Sequence, residues 1–297
     1  MIKKILKKCR SLVFLPVFLN SRGVIIWYYG VIITYLIRLV FKYALIKTTD
    51  REIVMPVATF VSNLLKKGDI FCDVGAFDGL LSLVGATVVG RSGEVHAFEP
   101  NYLPFKKMSK IFRGYRLDWI SINNLAVGDT IHKAKLFVPL NKPTESFLFQ
   151  KEDVIKRMNG SVIKTHVVNL DHYFINEKRT APTLIKIDVE GTELEVLLGA
   201  RKLLSIPNKP IIVFEACASN QKRFGRNVND IILFLNKFNY KFYRLRTNHI
   251  HIVENEEDIL NNKSSNEVWT DILALDPVLE IHKVRLELLL DRFKIQS

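Results

Sequence analysis

The feature that most constrains the fold of this chain is an apolar run with an acidic residue near its end, followed by a glycine-bearing turn. The run Ile70–Val74 contains Asp73, and residues 73–79 read D-V-G-A-F-D-G. Glycine lets the backbone turn sharply and approach a ligand that a Cβ would push away. A second apolar run, Val95–Phe98, is followed by Glu99, whose carboxylate can hold the two hydroxyls of a ribose. The two runs predict the first strands of a nucleoside-binding α/β sheet.

The glycine spacing distinguishes between two kinds of nucleoside ligand. A dinucleotide site uses the pattern G-x-G-x-x-G, which brings a pyrophosphate to the start of a helix. Here Gly75 and Gly79 are four residues apart, and Asp78 lies between them, where its carboxylate would repel a pyrophosphate. A carboxylate suits a ligand with positive charge, such as the sulfonium and ammonium groups of S-adenosylmethionine. The pattern favours S-adenosylmethionine over a dinucleotide, and a purely structural turn is a third interpretation.

Strands alternate with helices along most of the remaining chain, which is typical of a doubly wound α/β sheet. Further strands are predicted at residues 119–123, 184–188, 210–215, 240–245 and 267–275. A helix is predicted at 193–204, and the last strands allow antiparallel pairing at the C-terminal edge of the sheet. Between about 130 and 170 the pattern changes to short β-rich segments, which predicts an inserted hairpin or flap.

Positive charge is concentrated in the first fifty residues. The chain has a net charge of +13, and residues 1–50 contain nine basic residues and one acidic residue. That segment therefore carries +8, which leaves +5 for residues 51–297. A nucleic-acid groove across the folded domain is weakly supported by so small a charge, whereas the basic N-terminus suits an anionic membrane surface.

The same N-terminal segment is apolar enough for membrane contact. Residues 23–37 carry no charge, and the stretch extended to residue 46 is long enough to span a bilayer. Thr34, Arg38 and Lys42 recur at helical spacing, however, and draw a polar stripe along this helix. We expect residues 1–48 to be a helical extension that lies on the cytoplasmic, inner face of a membrane or caps the domain formed by residues 49–297. A true span is the remaining alternative.

Four further blocks follow the glycine turn in order. They are Phe98-Glu-Pro100, Asn124-Leu-Ala126-Val-Gly128-Asp129, Leu170-Asp171 and Lys186-Ile-Asp188-Val-Glu190-Gly191-Thr-Glu193. With the turn, they resemble the FkbM family of S-adenosylmethionine-dependent methyltransferases, and the last block is the most specific. The resemblance runs from about residue 50 to residue 218 and implies a class I methyltransferase (Rossmann-like) fold, with S-adenosylmethionine as cofactor. It departs from the family at Phe77 and Asp78, where many relatives carry Asn and another small or polar residue.

The predicted binding residues lie around the first strand tips, because ligands of open α/β sheets bind beyond the carboxyl ends of the strands. For the cofactor they are Asp73, Gly75, Ala76, Asp78, Gly79, Glu99, Asn124 and Ala126. We expect Glu99 at the ribose and Asp73 and Asp78 toward the methionine end, where one of the two could serve only to brace the turn. Asn124 and the backbone of Ala126 are expected at the adenine.

The predicted catalytic residues are acidic. An alcohol needs its proton removed as it attacks the methyl group, and a positioned base supplies that step. Asp188 and Glu190 are the first candidates, followed by Glu215 and then by His166 or His172 of the insert. Alternatively, the carboxylate of Glu190 stabilises the N-terminus of the next helix and has no catalytic role. No residue spacing demands a metal, and we predict none.

The family usually methylates a hydroxyl, so we expect O-methylation of a sugar, glycan or glycolipid precursor. One alternative is a ribose 2′-O-methyltransferase acting on RNA, for which Lys186 and Asp188 form a suitable pair but the charge of +5 is a poor match. Another alternative is a membrane-tethered module that binds a nucleoside without turnover. The acidic cluster is not needed for such a module.

Overall fold

The computed structural model describes residues 51–149, 152–156, 158–246, 249–253, 258 and 269–296. The predictions for residues 1–48, including membrane contact, lie outside this part of the chain. Among the described residues, no helix combines the length and the apolar character needed to cross a bilayer.

The predicted helices and strands occur in the expected order, although six strands between residues 120 and 187 follow one another without an α-helix. The helices are α1 (Arg51–Leu64), α2 (Leu80–Val89), α3 (Tyr102–Gly114), α4 (Glu193–Leu198), α5 (Ala218–Arg223), α6 (Val228–Asn236) and α7 (Glu280–Leu290). The strands are β1 (Ile70–Val74), β2 (Glu94–Phe98), β3 (Ile120–Asn123), β4 (Ala126–Val127), β5 (His132–Pro139), β6 (Phe147–Phe149), β7 (Gly160–Val168), β8 (Leu184–Ile187), β9 (Ile211–Cys217), β10 (Lys241–Arg246), β11 (His249–Val253), β12 (Trp269–Leu275) and β13 (Lys294–Gln296). Short 3₁₀ segments lie at Gly90–Ser92, Pro143–Glu145, Glu152–Val154 and Leu203–Ser205, and a π-helical turn lies at Asp171–Asn176.

The main sheet has nine strands among the described residues, in the order β13-β11-β10-β12-β9-β8-β1-β2-β3. Strands β9, β8, β1, β2 and β3 are parallel. Strand β1 lies between β2 and β8, so the chain order reverses beside it. Such a switch point leaves a crevice at the carboxyl ends of the strands, which is where ligands bind in this architecture.

The register of the parallel strands brings their carboxyl ends to one edge. Val74 pairs with Phe98 on one side and with Ile187 on the other. Ile187 in turn pairs with Phe214. The residues that follow these positions, among them Glu99 and Asp188, therefore emerge side by side.

The antiparallel pairing predicted for the C-terminal part of the sheet is confirmed. Strand β12 runs antiparallel to both β9 and β10, and β10 runs antiparallel to β11. Strand β13 then pairs in parallel with β11, which the sequence pattern did not predict. The sheet thus continues beyond the strands that the sequence analysis identified.

The core is apolar on both faces of the central strands, as expected of a parallel sheet covered by helices. Phe71, Ile185, Ile187 and Phe214 are fully buried. Helix α4 ends at Leu198 and is shorter than the helix predicted at 193–204. A Cβ on the next residue, Gly199, would lie 2.1 Å from the carbonyl oxygen of Gly128, so the chain makes a close backbone approach where the helix stops.

The β-rich insert forms a second sheet in the order β4-β7-β5-β6. Strands β5 and β7 are the antiparallel hairpin that the sequence predicts. Strand β6 adds to the other side of β5, and the two-residue strand β4 pairs in parallel with β7. Phe137, Phe147 and Phe149 give this sheet a small core of its own.

Candidate functional site

A cleft lies at the carboxyl edge of the parallel strands. Of the predicted residues, Gly75, Glu99, Ala126 and Asp188 line it. The insert contributes further walls through Leu136, Pro143, Thr144, Ser146 and Leu148. The cleft is therefore bounded by strand tips on one side and by the second sheet on the other.

The first turn of the sheet holds two strand tips together. The backbone N–H groups of Gly75 and Ala76 both donate to the carbonyl oxygen of Phe98, at 3.0 and 2.9 Å. Gly75 has a φ of 85°, and a Cβ at this position would lie 1.8 Å from the carbonyl oxygen of Asp188. Only glycine fits between the β1 and β8 turns, so residue 75 controls how closely the two halves of the site meet.

The second half of the turn starts helix α2. The N–H of Leu80 donates to Asp78 Oδ1 at 3.1 Å, so this carboxylate braces the start of the helix. Asp78 is absent from the cleft lining. Phe77 lines the cleft with a φ of 45°, a left-handed conformation that Asn adopts more readily than Phe. The departure from the family pattern at this position therefore places an unusual residue in a strained turn.

Glu99 occupies the position expected of a ribose ligand. Its side chain is buried and accepts the N–H of Asn101 on Oε1 and the N–H of Phe77 on Oε2, each at 2.7 Å. Each carboxylate oxygen has a second lone pair with which it can accept a hydroxyl. Burial raises the pKa of Glu99 to about 7, although the two N–H groups lower it.

Two of the predicted cofactor residues lie behind the cleft and support it. Asn124 Nδ2 donates to the carbonyl oxygens of Glu99 and Pro100, at 2.8 and 3.0 Å, which fixes the turn after β2. Asp73 is buried beneath the first turn and accepts a hydrogen bond from the Ser82 hydroxyl. Burial raises the pKa of Asp73 to about 6, while Ser82 and the charge of Lys186 lower it.

Three carboxylates meet at the tips of β8 and β9. One carboxylate oxygen from each of Asp188, Glu190 and Glu215 lies within 4.8 Å of the other two. Glu190 has a φ of 60° and Gly191 a φ of 115°, so the chain doubles back directly after β8. Asn220 Nδ2 then holds Glu190 Oε2 at 2.7 Å. The three residues predicted to be catalytic are thus brought together, although their roles remain predictions.

The charges of this cluster are only partly balanced. Burial and, next to it, the negative charge of Asp188 together raise the pKa of Glu190 to about 8. The same two causes raise the pKa of Glu215 well above its usual value. Burial disfavours the charged form of a carboxyl group, and a like charge nearby adds to that effect.

Lys186 is the cation beneath the cluster. Its Nζ lies 3.1 Å from Asp188 Oδ2 and 3.5 Å from Asp271 Oδ1, and only 2% of its side chain is exposed. Burial alone would lower the pKa of Lys186, but Asp188, Asp271 and Glu215 outweigh burial and raise it. This lysine therefore stays charged and serves as a buried counter-ion.

Glu193 has a structural role that the sequence analysis missed. It is buried and accepts the N–H groups of Gly191 and Val189, at 3.1 and 3.3 Å, and also the side-chain amide of Gln221. Burial raises the pKa of Glu193 to about 7, and the N–H groups lower it. Glu193 binds the amides at this helix start, whereas Glu190 is held by Asn220. The spacing of these two glutamates in the last sequence block was the available signal.

The two histidines named as further candidate bases lie apart from the cleft. His166 is exposed on β7, and His172 lies 3.4 Å from the carboxylate of Glu177. Neither lines the cleft.

A family model agrees with this architecture. The model described as the methyltransferase FkbM domain matches residues 73–242, which is more than half of the 297 residues. The chain belongs to the FkbM methyltransferase family. As a member of this family, it uses S-adenosylmethionine as its cofactor.

Several solved structures are similar to this FkbM chain. An FkbM methyltransferase from Methylobacillus flagellatus KT is 19% identical with a TM-score of 0.46, and the match covers 92% of this chain but 60% of that one. An S-adenosylmethionine-dependent O-methyltransferase from Thermotoga maritima is 15% identical with a TM-score of 0.42, and the match covers 80% of this chain and 71% of that one. An rRNA methylase from Streptococcus thermophilus is 13% identical with a TM-score of 0.42, and the match covers 77% of this chain and 99% of that one. No curated protein has a matching sequence.

The residues of the cleft fit the family's cofactor. Gly75 and Glu99 line the cleft, and Glu99 offers two oxygens that can still accept hydroxyls. Asp188 lines the same cleft beyond the turn, where its negative charge suits a sulfonium. In this FkbM chain, cofactor cleft and carboxylate cluster are therefore continuous through Asp188.

Proposed function

We propose that the protein transfers a methyl group from S-adenosylmethionine to a hydroxyl of a sugar, glycan or glycolipid precursor. One observation carries the proposal: the carboxylates of Asp188, Glu190 and Glu215 converge within 4.8 Å at the end of the cofactor cleft. Carboxylates are good acceptors for sugar hydroxyls, and a carboxylate can also remove the proton of an attacking alcohol.

The cofactor supplies a methyl group on sulfur that is already activated for displacement. The chain has to hold the acceptor oxygen in line and to take its proton. The cleft wall aligns the acceptor oxygen with the methyl group, and Gly75 sets how closely the β1 and β8 turns approach each other in that wall. Proton removal is assigned to Glu190 or Asp188, each of which has one oxygen held by a donor, Asn220 or Lys186.

The second candidate, methylation of RNA ribose, has less support. A catalytic lysine for that reaction must reach the substrate, and Lys186 is buried between Asp188 and Asp271. The acidic character of the cluster would also repel a phosphate backbone. A sugar hydroxyl on a weakly charged acceptor meets neither obstacle.

The test is a comparison of cell-envelope glycans from cells with and without the gene. Mass spectrometry should show glycan species in the wild type that are heavier by one methylene group and absent from the deletion strain. Complementation with the wild-type gene should restore them, and a Glu190→Gln gene should not. Unchanged glycans together with loss of a ribose methyl from RNA would replace this proposal with its competitor.

The purified chain gives an independent measurement. Binding of S-adenosylhomocysteine by Glu190→Gln with wild-type affinity, but without methyl transfer, would distinguish an enzyme from a nucleoside-binding module. Asp118→Asn is a matched control, because Asp118 is an exposed acidic residue paired with Arg91. This variant should keep both binding and transfer.

A further inference from the structure

The carboxylate cluster has free oxygens that point to a ligand. Asp188 uses Oδ2 to accept Lys186 Nζ, and Glu190 uses Oε2 to accept Asn220 Nδ2. Their second oxygens accept no hydrogen bond from the described residues. Glu215 Oε2 is fully enclosed and likewise has no hydrogen-bond partner in the described part of the chain.

An enclosed oxygen without a partner is costly and calls for a physical explanation. Polar atoms of this kind are rare in native proteins, and an ion is one of the standard explanations. Lys186 does not fill the role for Glu215, because its Nζ is engaged by Asp188 and Asp271. Three carboxylates thus lie close together, with Glu193 and Asp271 near them, and the ammonium group of Lys186 is shared between Asp188 and Asp271.

We propose that Asp188, Glu190 and Glu215 bind one hard divalent cation, such as Mg²⁺, at the end of the cofactor cleft. Such cations prefer oxygen ligands, at about 2.0–2.1 Å for Mg²⁺ and about 2.3–2.6 Å for Ca²⁺. Ligands on opposite sides of the ion are then about 4–5 Å apart. The carboxylate oxygens already lie within 4.8 Å of one another, so small side-chain adjustments suffice.

The surrounding contacts are those expected around a metal site. Ligand carboxylates are usually oriented by hydrogen bonds from a second layer of residues. Here Lys186 orients Asp188 and Asn220 orients Glu190, and each leaves one oxygen free.

This inference rests on the proposed function and deepens it, because Asp188 also lines the cofactor cleft. The acceptor hydroxyl occupies an open coordination position, and coordination lowers its pKa. Its proton passes to one of the cluster carboxylates as the oxygen–carbon bond forms. The sulfur–carbon bond breaks at the same time and its electron pair stays on sulfur.

The experiment is a titration of the full chain, saturated with S-adenosylhomocysteine, with Mn²⁺ as the probe. Free Mn²⁺ is followed by electron paramagnetic resonance, and Mg²⁺ is added as a competitor. One Mn²⁺ per chain should bind, and Mg²⁺ should displace it. Glu215→Gln and Asp188→Asn should each abolish this binding, and Asn220→Ala should weaken it about 10–100-fold. Asp118→Asn is the matched control and should bind as the wild type does.

The two proposals fail separately. A wild-type chain that binds S-adenosylhomocysteine but no Mn²⁺ at millimolar concentration overturns the metal site and leaves the methyltransferase proposal intact. Mn²⁺ that binds equally to wild type, Glu215→Gln and Asp188→Asn also overturns it, because the ion is then elsewhere. Thermal unfolding of each variant shows that it is folded, and either ligand variant alone suffices for the comparison.

Discussion

The carboxylates at the two ends of the cleft differ in how completely they are hydrogen-bonded. At the cofactor end, each oxygen of Glu99 accepts a backbone N–H, and Asp73 is bonded to Ser82. At the other end, where we propose that the acceptor binds and which we call the acceptor end, oxygens of Asp188, Glu190 and Glu215 lie close together, and Glu215 Oε2 has no partner among the described residues. The chain's own donors satisfy the carboxylates of the first region, whereas the carboxylates of the second still require a proton, a cation or an acceptor hydroxyl.

This difference has a functional meaning. A pocket for a cofactor that is used in every turnover gains from preorganised donors and acceptors, since less ordering is needed on binding. A reacting centre instead needs groups whose protonation can change, and buried like charges provide that. The cofactor end should therefore respond to mutation mainly in affinity, and the acceptor end mainly in rate.

The largest expected effect tests the acceptor end. Glu190→Gln keeps the size of the side chain but removes the carboxylate oxygen that takes up the proton. We expect kcat to fall about 10²–10⁴-fold, the usual contribution of a general base. Affinity for S-adenosylhomocysteine should change little, because Glu190 does not line the cleft. A steady-state assay with calorimetry checks both values, and a loss of cofactor affinity equal to the loss of rate would contradict the separation.

Gly75→Ala tests the close contact between the two regions, because Gly75 lies where the β1 and β8 turns meet. A Cβ would lie 1.8 Å from the Asp188 carbonyl oxygen, and the φ of 85° is unfavourable for alanine. We expect a loss of about 2–5 kcal/mol in the free energy of unfolding, from backbone strain and overlap together.

Gly225→Ala is the matched control for that prediction. Gly225 has a φ of 71°, but nothing lies within 4 Å of a Cβ built there. Only the backbone strain remains, so the expected loss is about 1–2 kcal/mol. Urea unfolding of both variants gives the comparison, and equal losses would show that the close approach of the two turns is unimportant.

The third effect concerns the cofactor end. Glu99→Gln removes one acceptor oxygen and the charge, and hydrogen bonds to charged groups contribute about 1.5–3 kcal/mol each. We expect S-adenosylhomocysteine to bind roughly 10–100-fold more weakly. The value of kcat at saturating cofactor should stay within a few-fold of the wild type.

Glu94→Gln, at the start of strand β2, is the control for Glu99→Gln. Glu94 is mostly exposed and contacts His96. The Glu94→Gln variant should therefore bind the cofactor with the affinity of the wild type. A Glu99→Gln variant that binds as tightly as this control would remove Glu99 from the ribose site.

The turns at the cofactor end follow from the sequence more directly than the geometry of the carboxylate cluster does, for a physical reason. The turn at Gly75 and the acidic tip at Glu99 follow directly from local patterns, because strand, turn and helix are contiguous in the chain. The three carboxylates of the cluster are all among the residues that the sequence analysis named as candidate catalytic groups. Their distances depend on strand register and on the left-handed turn at Glu190, however, and neither is visible in composition or spacing.

The partners of those carboxylates were beyond the reach of local patterns. Asn220 lies 30 residues from Glu190, and Asp271 reaches Lys186 only because β12 inserts between β9 and β10. In the insert, likewise, local patterns predicted the hairpin but not the added strands β4 and β6. Contacts between distant segments are set by packing of the whole sheet.

The smallest expected effect is on the pH dependence of cofactor binding, which depends on Glu99 at the cofactor end. Burial raises the pKa of Glu99 to about 7, so the free protein takes up a proton there as the pH falls through neutrality. If the charged form binds the ribose hydroxyls, affinity for S-adenosylhomocysteine is constant at higher pH. It then weakens below about pH 7 by at most about tenfold per pH unit. Calorimetry in buffers of different ionisation enthalpy should show proton release on binding.

The stability contribution of Glu99 has a defined sign. Its pKa in the folded state lies above 4.5, the ordinary value of a glutamate, so the neutral form is favoured by folding. The stabilisation is present below that ordinary value and is lost as the pH rises through about 7. In Glu99→Gln both pH effects should disappear, whereas the pKa of Asp73, raised to about 6, should leave a weaker dependence at lower pH. An unaltered pH profile of binding in Glu99→Gln would assign the proton to another group and would mean that the cofactor end is not preorganised by Glu99.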